Sequence, residues 1–321
     1  MHIVVLDDYE NNLNFLKENQ SITERATLEI HQEHLTGEAL LAVLVKADVL
    51  VMNRDRTPLR KPLIEQLPKL KYVLFTGNRN LAIDYDELEK RQIPISYTEM
   101  GPSKETTVEL TWALILSTYK RINEQSSLIS QGKWRNEHSV LPALIGERFG
   151  VLGLGNIGAK VAKVATAFGM DVVTWSPRMT PERAAEHGVR SVSLEELLST
   201  SKIVSLHLVP GETTKGIMNA ERLALMRPDS LLVNTSRSTL INTSELLLAL
   251  QNGRPGMAAL DVFDEEPIPL SSPLNGVPNL FMTPHLGFVA QPIFQTMAKG
   301  VQEVLESWLI HGQAINLVKN S

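Results

Sequence analysis

The sequence predicts an α/β protein with two doubly wound domains, each built on a mostly parallel sheet. The chain has 321 residues, more than the roughly 100 to 200 of a typical single domain. Its first hundred residues alternate β-rich runs with helical stretches, and a longer series of the same kind begins at Arg148. Because strands that alternate with helices usually pair in parallel, both series predict parallel sheets covered by helices.

The first series is separated into elements by turn and proline signals. Its β-rich runs are residues 2–7, 48–53, 71–76 and 93–98, and its helical stretches are residues 38–47, 59–67 and 84–91. Apolar residues then recur at helical spacing over about five turns of residues 103–122, which predicts a helix that joins the two domains. Residues 123–148 are polar and show no clear period, so we expect an extended arm or a segment that contacts a partner.

The second series predicts a doubly wound sheet because it repeats the strand–helix–strand unit several times. Its strands are predicted at residues 149–155, 170–175, 202–208, 230–236 and 256–263, and its helices at 156–169, 181–188, 194–199 and 242–253. The chain continues through PNLFMTPH to a predicted helix over about 292–311 and a short strand-like AINLV.

Composition excludes several classes of function. Lys and Arg number 31 against 36 Asp and Glu, a net charge of −5, and no basic block is dense enough to bind a phosphate backbone, so we expect no nucleic-acid partner. No apolar run approaches the roughly 18 residues of a membrane span, so we expect no membrane partner. The chain has no cysteine, which excludes disulfides and thiolate chemistry and favours a cytoplasmic protein. His31 and His34 have no apparent third ligand, so we expect no metal.

A glycine motif opens the second series. Gly153, Gly155 and Gly158 form G-x-G-x-x-G, with a strand before them and an amphipathic helix after them. Gly153 permits the tight turn, Gly155 lets a pyrophosphate approach the backbone, and Gly158 allows the helix to pack closely on the strand. Asn156 and Ile157 begin the helix, whose free N–H groups attract an anion. The motif therefore predicts a Rossmann-like site for a dinucleotide.

The next strand bears on the choice of dinucleotide. It ends in Trp175-Ser176-Pro177-Arg178, where proteins selective for NAD usually place an acid that binds the ribose hydroxyls. Asp171 stands at the beginning of that strand, too early to reach the ribose. Ser176 and Arg178 can accept a 2′-phosphate without charge repulsion, so the sequence favours NADP(H) over NAD(H). The alternative is that Arg178 is a solvated loop residue and that either cofactor binds.

Three ionisable residues follow predicted strands of the second series, at the edge where doubly wound sheets bind ligands. They are Arg237 in NTSRS, Glu266 in DVFDEEP and His285 in TPHLG. Taken singly, each is also compatible with a solvated or structural role.

As an ordered set, GLGNIG, NTSR, DVFDEEP and TPH resemble the D-isomer-specific 2-hydroxyacid dehydrogenase family. The resemblance runs from the first strand to the last helix and is particularly close to a phosphoglycerate-dehydrogenase-like subgroup, through TGNRN, ELTWALIL, GKW and GRPGMAALDVF. It implies an NAD(P)-dependent oxidoreductase that transfers a hydride between the nicotinamide and the α-carbon of a small 2-oxo or 2-hydroxy acid, either glyoxylate/hydroxypyruvate-like or phosphoglycerate-like.

The resemblance also assigns roles to the three ionisable residues. Arg237 corresponds to the arginine that binds the substrate carboxylate, His285 to the general acid/base, and Glu266 to the carboxylate that orients this histidine. A guanidinium suits bidentate binding of a 2-oxo acid, and an imidazole can exchange a proton with the substrate oxygen. Phe288 stands where many members have a small residue, so we expect a narrower pocket.

Further positions match the family's substrate and cofactor contacts. The loop of Thr76, Gly77 and Asn78 corresponds to the loop that binds the substrate carboxylate through backbone N–H groups, with a plain turn as the alternative. Arg54 and Arg56 look like the arginines that meet a distal phosphate, although Asp55 between them can neutralise one. The remaining expected cofactor contacts are His207, Pro210, Thr235, Ser236 and Asp261, with Asp261 near the nicotinamide amide. The alternatives are a packing role at a strand end for His207 and a loop-capping role for Asp261.

The family further implies the domain organisation. Residues 1–97 and 289–321 are expected to form a smaller, discontinuous substrate-binding domain, and residues 98–288 the dinucleotide-binding domain, through which two copies form a homodimer. One alternative is a dinucleotide-sensing corepressor, in which occupancy controls partner affinity. Another is a Rossmann methyltransferase, which leaves Arg237, Glu266 and His285 without a role. The sequence leaves open which acid is the substrate.

Overall fold

The computed structural model describes residues 1–318, which fall into two compact units. Unit 1 comprises Met1–Pro102 and the described residues from Ala290 onward, and unit 2 comprises Ser103–Val289. The divisions expected from the sequence follow residues 97 and 288. Within residues 1–318, no helix combines the length and the apolar content needed to cross a membrane.

The strands of the described chain form one parallel sheet in each unit. Unit 1 contains β1 (His2–Leu6), β2 (Thr27–Ile30), β3 (Val49–Met52), β4 (Tyr72–Phe75) and β5 (Ile95–Tyr97). Unit 2 contains β6 (Arg148–Leu152), β7 (Asp171–Trp175), β8 (Arg190–Ser191), β9 (Ile203–Leu206), β10 (Leu231–Asn234), β11 (Met257–Leu260) and β12 (Leu280–Met282). All their strand pairings are parallel, as predicted.

The helices follow the strands in the alternation that parallel pairing requires. Over residues 1–318 they are α1 (Gln20–Thr23), α2 (Gly37–Leu44), α3 (Lys61–Ile64), α4 (Tyr85–Lys90), α5 (Ser103–Tyr119), α6 (Ile122–Ser130), α7 (Asn156–Ala167), α8 (Pro181–Ala185), α9 (Leu194–Thr200), α10 (Ala220–Leu225), α11 (Thr243–Gln251) and α12 (Gln291–His311). Short 3-10 helices cover Asn14–Glu18, Glu137–Ser139 and Ser238–Leu240.

The strand order of each sheet reverses once. In unit 1 the order is β2-β1-β3-β4-β5, and in unit 2 it is β12-β11-β10-β9-β6-β7-β8. The reversals lie between β1 and β3 and between β6 and β9. Doubly wound sheets bind ligands at the carboxyl ends of the strands where the order reverses, so each unit has one such edge.

Both sheets are buried on their two faces, which explains their nearly continuous apolar strands. In unit 1, one face of β1, β3 and β4 packs on α2, α3 and α4, and the other packs on α1 and α12. Tyr72 of β4 stacks on Trp308 of α12 with ring centroids 4.4 Å apart. Unit 2 has an equivalent pair of apolar clusters on its two faces.

Several elements differ from the sequence-based predictions. Strand β2 lies at a sheet edge with no fully buried residue, and β8 has only two residues. Helix α3 is shorter than residues 59–67 because Leu59 forms a bridge with Ile83 instead of entering the helix. The expected strand over 314–318 is a single antiparallel bridge from Leu317 to Ser96.

The segment predicted to lack a period contains α6 (Ile122–Ser130) and is therefore not an extended arm throughout. Arg121 adopts a left-handed conformation with φ of +47°, which interrupts the helical conformation between α5 and α6. No residue of α6 is buried. Only Ile122, Leu128 and Ile129 of its residues are apolar, so the periodicity was too weak to reveal the helix.

Candidate active site

The glycine loop lies at the carboxyl end of β6, beside the reversal of strand order in unit 2. Gly153 has φ of +99°, in the region that side chains other than glycine rarely adopt. A Cβ atom at this position would lie 2.8 Å from the backbone of His207, which follows the neighbouring strand β9. Residue 153 must therefore be glycine for two reasons, its positive φ and the lack of space for a Cβ atom.

Gly158 and Gly155 serve the loop differently. A Cβ at Gly158 would lie 2.0 Å from the carbonyl oxygen of Gly153, so only glycine lets α7 start this close to β6. Gly155 is exposed, and a Cβ there would meet no atom within 4 Å. It is the N-cap of α7, whose first N–H groups receive no side-chain cap. The residues present therefore fit a pyrophosphate, with exposed Asn156 and half-buried Ile157 beside it.

The end of β7 carries no acidic side chain. Ser176 is half-buried and Arg178 is exposed, and the guanidinium of Arg183 donates to the carbonyl oxygen of Arg178 at 2.7 Å. Asp171, at the start of β7, accepts from Arg148 at 2.8 Å and from Arg190 at 3.1 Å. Burial alone would raise the pKa of Asp171, but its hydrogen bonds to the two arginines lower it. The Asp171 carboxylate is therefore paired with two arginines at the start of β7, at the end opposite to Ser176 and Arg178.

His207 and Pro210 follow β9. The Nε2 atom of His207 lies 2.9 Å from Oγ of Ser205, and desolvation lowers the pKa of His207 to about 4. The ring is therefore neutral near pH 7 and presents no positive charge to an anion. Pro210 is exposed in the loop that follows.

Thr235, Ser236 and Arg237 leave β10 in succession. Thr235 is buried, with its hydroxyl 2.8 Å from that of Thr111 in α5. The hydroxyl of Ser236 donates to the carbonyl oxygen of Leu208 at 2.9 Å, so the loops after β9 and β10 are joined. Arg237 is exposed and donates from Nη1 to the carbonyl oxygen of Ser236 at 2.7 Å. The guanidinium is thus held at the carboxyl edge of the sheet with other N–H groups facing solvent.

Glu266 and His285 form a direct pair. Oε2 of Glu266 lies 2.6 Å from Nδ1 of His285, and Oε1 accepts the backbone N–H of Phe263 at 2.8 Å. Among the described side chains and backbone groups, Nε2 of His285 has no hydrogen-bond partner. The imidazole side chain is 28% exposed, and the ring of Phe288 meets it edge-on with centroids 5.5 Å apart. The carboxylate therefore fixes one ring nitrogen and leaves the other for a ligand.

Asp261 holds the loop that carries His285, which is the loop-capping role given above as the alternative to a cofactor contact. Its Oδ1 accepts from the hydroxyl of Thr283 at 2.6 Å and the N–H of Leu286 at 2.7 Å, and its Oδ2 accepts from the N–H of Gly287 at 2.9 Å. The residue is 1% exposed, and burial raises its pKa against these hydrogen bonds. The expected contact of Asp261 with the nicotinamide stays a prediction, whereas its contacts within the loop are direct.

This loop is conformationally demanding. His285 adopts a left-handed conformation with φ of +53°, which is uncommon for a residue other than glycine and costs on the order of 1 kcal/mol. The hydroxyls of Thr106 and Thr107 in α5 both donate to the carbonyl oxygen of Gly287 at 3.0 Å. Hydrogen bonds on both sides of His285 therefore hold it in this conformation.

The predicted substrate-binding residues of unit 1 lie together. They follow β3 and β4, and the backbone N–H of Arg54 donates to the hydroxyl of Thr76 at 3.0 Å. Nη1 of Arg54 lies so close to Gly77 that a Cβ there would be 2.1 Å from it. The N–H of Gly77 donates to the hydroxyl of Thr98 at 2.9 Å, whereas Asn78 is exposed. The N–H of Thr76 donates to the carbonyl oxygen of Met52 at 2.9 Å, so the first two N–H groups of the loop are engaged within unit 1 and binding of a carboxylate by this loop stays a prediction.

Arg56 has a partner that sequence spacing did not indicate. Its guanidinium donates to Glu10, with Nη1 to Oε2 at 2.9 Å and Nη2 to Oε1 at 2.6 Å. Glu10 follows β1, which neighbours β3 in the sheet. Only strand order brings the two residues together, because 46 positions separate them in the chain. Asp55, the neighbour expected to neutralise an arginine, is exposed.

Comparison with known proteins identifies the family. The family model described as "D-isomer specific 2-hydroxyacid dehydrogenase, NAD binding domain" matches residues 112–287. The chain is 33% identical over 252 residues to a glyoxylate reductase of Thermococcus litoralis, covering 76% of each chain. It is 33% identical over 285 residues to a D-3-phosphoglycerate dehydrogenase of Methanocaldococcus jannaschii, covering 88% of this chain and 54% of that protein.

A crystal structure of phosphoglycerate oxidoreductase from Vibrio cholerae superposes with a TM-score of 0.83 at 29% identity, covering 94% of this chain and 97% of the other. The chain spans about half the length of the phosphoglycerate dehydrogenase and about three quarters of the glyoxylate reductase. These matches confirm the two-domain α/β fold and the resemblance read from GLGNIG, NTSR, DVFDEEP and TPH. The protein belongs to the D-isomer-specific 2-hydroxyacid dehydrogenase family and is an oxidoreductase with an NAD-binding domain.

Proposed function

We propose that the protein interconverts a small 2-oxo acid and the corresponding D-2-hydroxy acid at the expense of a nicotinamide dinucleotide. The observation that carries this proposal is the 2.6 Å contact between Glu266 and Nδ1 of His285. It orients a partly exposed imidazole whose other nitrogen, Nε2, is left for a substrate oxygen. Such a pair is suited to exchange one proton with a substrate oxygen.

The protonation role of His285 follows from its hydrogen bonding. When a 2-oxo acid is reduced, Nε2–H donates a proton to the carbonyl oxygen, and the carboxylate of Glu266 stabilises the imidazolium before that transfer. The dinucleotide supplies the hydride that completes the reduction. In the opposite direction the neutral imidazole accepts the proton of the substrate hydroxyl. The balance is one 2-oxo acid, one proton and one reduced dinucleotide for one hydroxy acid and one oxidised dinucleotide.

Binding and orientation of the acid depend on guanidinium groups. Arg237, at the end of β10, pairs with the substrate carboxylate and polarises the adjacent carbonyl, because a guanidinium binds a carboxylate in a fixed planar geometry. Unit 1, the substrate-binding domain, supplies Arg54 with Thr76, Gly77 and Asn78. Phe288, packed edge-on against His285, favours substrates with a small group on the α-carbon.

The dinucleotide is held by unit 2, and NADP(H) is preferred. Gly153, Gly155 and Gly158 form the pyrophosphate site, and His207, Pro210, Thr235, Ser236 and Asp261 line the remainder. Preference for the 2′-phosphate is supported by Ser176 and Arg178 after β7, where an acid would repel it. Arg183, anchored on the carbonyl oxygen of Arg178, adds a second positive charge to this loop.

Two copies assemble through unit 2. Apolar side chains are exposed along the segment from α6 to β6, including Trp134 at 73%, Val140 at 89% and Ile145 at 74% exposed. A cavity of about 450 Å³, lined in part by Arg121, Gly256 and Pro278, opens near this segment. Apolar surface of this density is typical of a protein interface. The reaction's need for the cellular nicotinamide pool agrees with the expected cytoplasmic location.

The test is the absorbance of reduced nicotinamide with NADH or NADPH and a panel of glyoxylate, hydroxypyruvate, pyruvate, 2-oxoglutarate and phosphohydroxypyruvate. We expect oxidation of NADPH with at least one acid. His285→Ala should lower kcat by about 10² to 10⁴-fold while dinucleotide affinity is kept, because only the proton transfer is lost.

A matched control is His31→Ala, since His31 also pairs with a glutamate, at 3.0 Å from Glu29 in unit 1. This control should retain wild-type turnover. Unchanged turnover in His285→Ala would refute the catalytic assignment. Tight dinucleotide binding without turnover of any acid would instead favour a sensor, the corepressor-like alternative.

A further inference from the structure

The two arginines that resemble a phosphate-binding pair point to different partners. Arg54 adopts a left-handed conformation with φ of +58°, which turns the chain immediately after β3. Its guanidinium packs against Gly77, in the loop proposed to bind the substrate carboxylate. Arg56, two residues later, is directed to Glu10. The local backbone therefore separates the two positive charges.

Contacts with Glu10 and Asp7 use most of the N–H donors of the Arg56 guanidinium. Both carboxylate oxygens accept from it, and Nη1 also donates to the carbonyl oxygen of Asp7 at 2.6 Å. The guanidinium lies over the ring of Tyr9, 4.4 Å from its centroid. The side chains of Arg56 and Glu10 are only 15% and 26% exposed, so the pair is partly desolvated and stronger than a surface ion pair.

The loop that carries Glu10 is itself fixed. Asp7, 2% exposed, accepts from the hydroxyl of Thr57 at 2.6 Å and from Nδ1 of His34 at 2.9 Å. The hydroxyl of Tyr9 also donates to it, at 3.2 Å. These contacts tie the loop after β1 to the loop after β3 at the reversal of strand order in unit 1. Glu10 is thus held at the ligand-binding edge of the sheet.

We infer that Glu10 determines substrate specificity by occupying Arg56, so that the substrate is a non-phosphorylated 2-oxo acid with a small uncharged substituent on its carbonyl carbon. This inference rests on the proposed function and names its substrate class. A phosphorylated substrate would have to displace Glu10 from Arg56 and would then stand beside an unpaired carboxylate. The carboxylate that every 2-oxo acid carries is bound by Arg237 and by the loop of Arg54 and Gly77, so Arg56 is not needed for it.

The experiment compares hydroxypyruvate with phosphohydroxypyruvate, which differ only in the phosphoryl group. The ratio of their kcat/KM values is measured for the wild type, for Glu10→Gln and for Glu10→Gln combined with Arg56→Gln. We expect the wild type to prefer hydroxypyruvate. Glu10→Gln keeps the side-chain size but removes the charge, and should shift the ratio toward the phosphorylated acid by about ten- to hundredfold, the value of a charge-assisted bond. The double variant should lose this shift.

The matched control is Glu89→Gln, which removes one negative charge from an exposed position of α4 in the same unit. It should leave the ratio unchanged. A wild type that prefers phosphohydroxypyruvate, or a Glu10→Gln variant with the wild-type ratio, would overturn the inference. A shift that persists in the double variant would also overturn it, since the phosphate would then be binding elsewhere than at Arg56.

A second readout does not require turnover. Calorimetric titration with D-glycerate and 3-phosphoglycerate should show tighter binding of the phosphorylated acid to Glu10→Gln than to the wild type. If neither oxo acid is reduced but this gain in binding occurs, the proposed function fails and the role of Glu10 stands. If oxo acids are reduced and no gain occurs, the role of Glu10 fails and the proposed function stands.

Discussion

Replacing Gly155 with alanine tests the dinucleotide site without disturbing the fold. The added Cβ would meet no atom within 4 Å, and the φ of −89° is allowed for alanine. Because Gly155 is an N-cap, where alanine is less favourable than glycine, we expect a loss of at most about 1 kcal/mol in unfolding free energy. The methyl group instead occupies the space through which a pyrophosphate reaches the N–H groups of α7.

The expected effect is therefore on ligand affinity. Forcing one methyl group into a close contact costs about 1–3 kcal/mol, which corresponds to a roughly 5- to 150-fold rise in the Kd for NAD(P)H. Fluorescence titration with NADPH and NADH gives the Kd, and urea denaturation without ligand gives the stability. Gly158→Ala is the contrasting variant, because its Cβ would lie 2.0 Å from the carbonyl oxygen of Gly153 and must shift the backbone. An unchanged Kd in Gly155→Ala would refute the placement of the pyrophosphate.

Three further predictions concern buried or paired charges. Asp261→Asn leaves the N–H of Gly287 facing an amide group. We expect the unfolding free energy measured by urea denaturation to fall by about 1–3 kcal/mol, and kcat to fall as well. An unchanged kcat would contradict the role of Asp261 in positioning the His285 loop. The wild-type Tm should decline as the pH falls from 6.5 to about 4, because the lowered pKa of His207 lets only the unfolded chain take up a proton in this range. His207→Asn should remove this decline. Tm profiles that run parallel in the two proteins would argue against this effect of His207. The hydrogen bond from Arg227 lowers the pKa of Asp229, so the contribution of Asp229 to stability is present above pH 3.8 and is lost on further acidification. Asp229→Asn should therefore flatten the acid-unfolding curve followed by circular dichroism. A curve as steep as that of the wild type would exclude this contribution.

The fold was predictable where periodicity and burial agree. Strands β3 and β4 are buried along their whole length and read as continuous apolar runs, and the glycine spacing marked the start of α7. Helix α10 (Ala220–Leu225) was missed because it has one buried residue and only six residues in all. Strand β2 was missed because Glu29 lies within it, paired with His2 and His31. Short elements at an edge owe their conformation to neighbours that are distant in sequence.

The contacts of the candidate site were likewise predictable only in part. Glu266 and His285 were expected as a pair from family motifs, and the structure places them 2.6 Å apart, although their catalytic roles stay predictions. Sequence spacing could not reveal that Glu10 meets Arg56, because that contact depends on β1 and β3 being neighbours. For Asp261 the sequence allowed a loop-capping role but could not identify its partners, Thr283, Leu286 and Gly287, since a buried carboxylate and a solvated one look alike in a sequence.

The contact between Gly158 and Gly153 implies that the anion-binding loop has its final shape before any ligand arrives. The carbonyl oxygen of Gly153 lies against Gly158, and this packing belongs to the folded core of unit 2. The conformational entropy of ordering the loop is therefore lost during folding and not during association. Binding of the dinucleotide should consequently show a heat-capacity change that reflects buried ligand surface alone, without the additional contribution of a segment that folds around it.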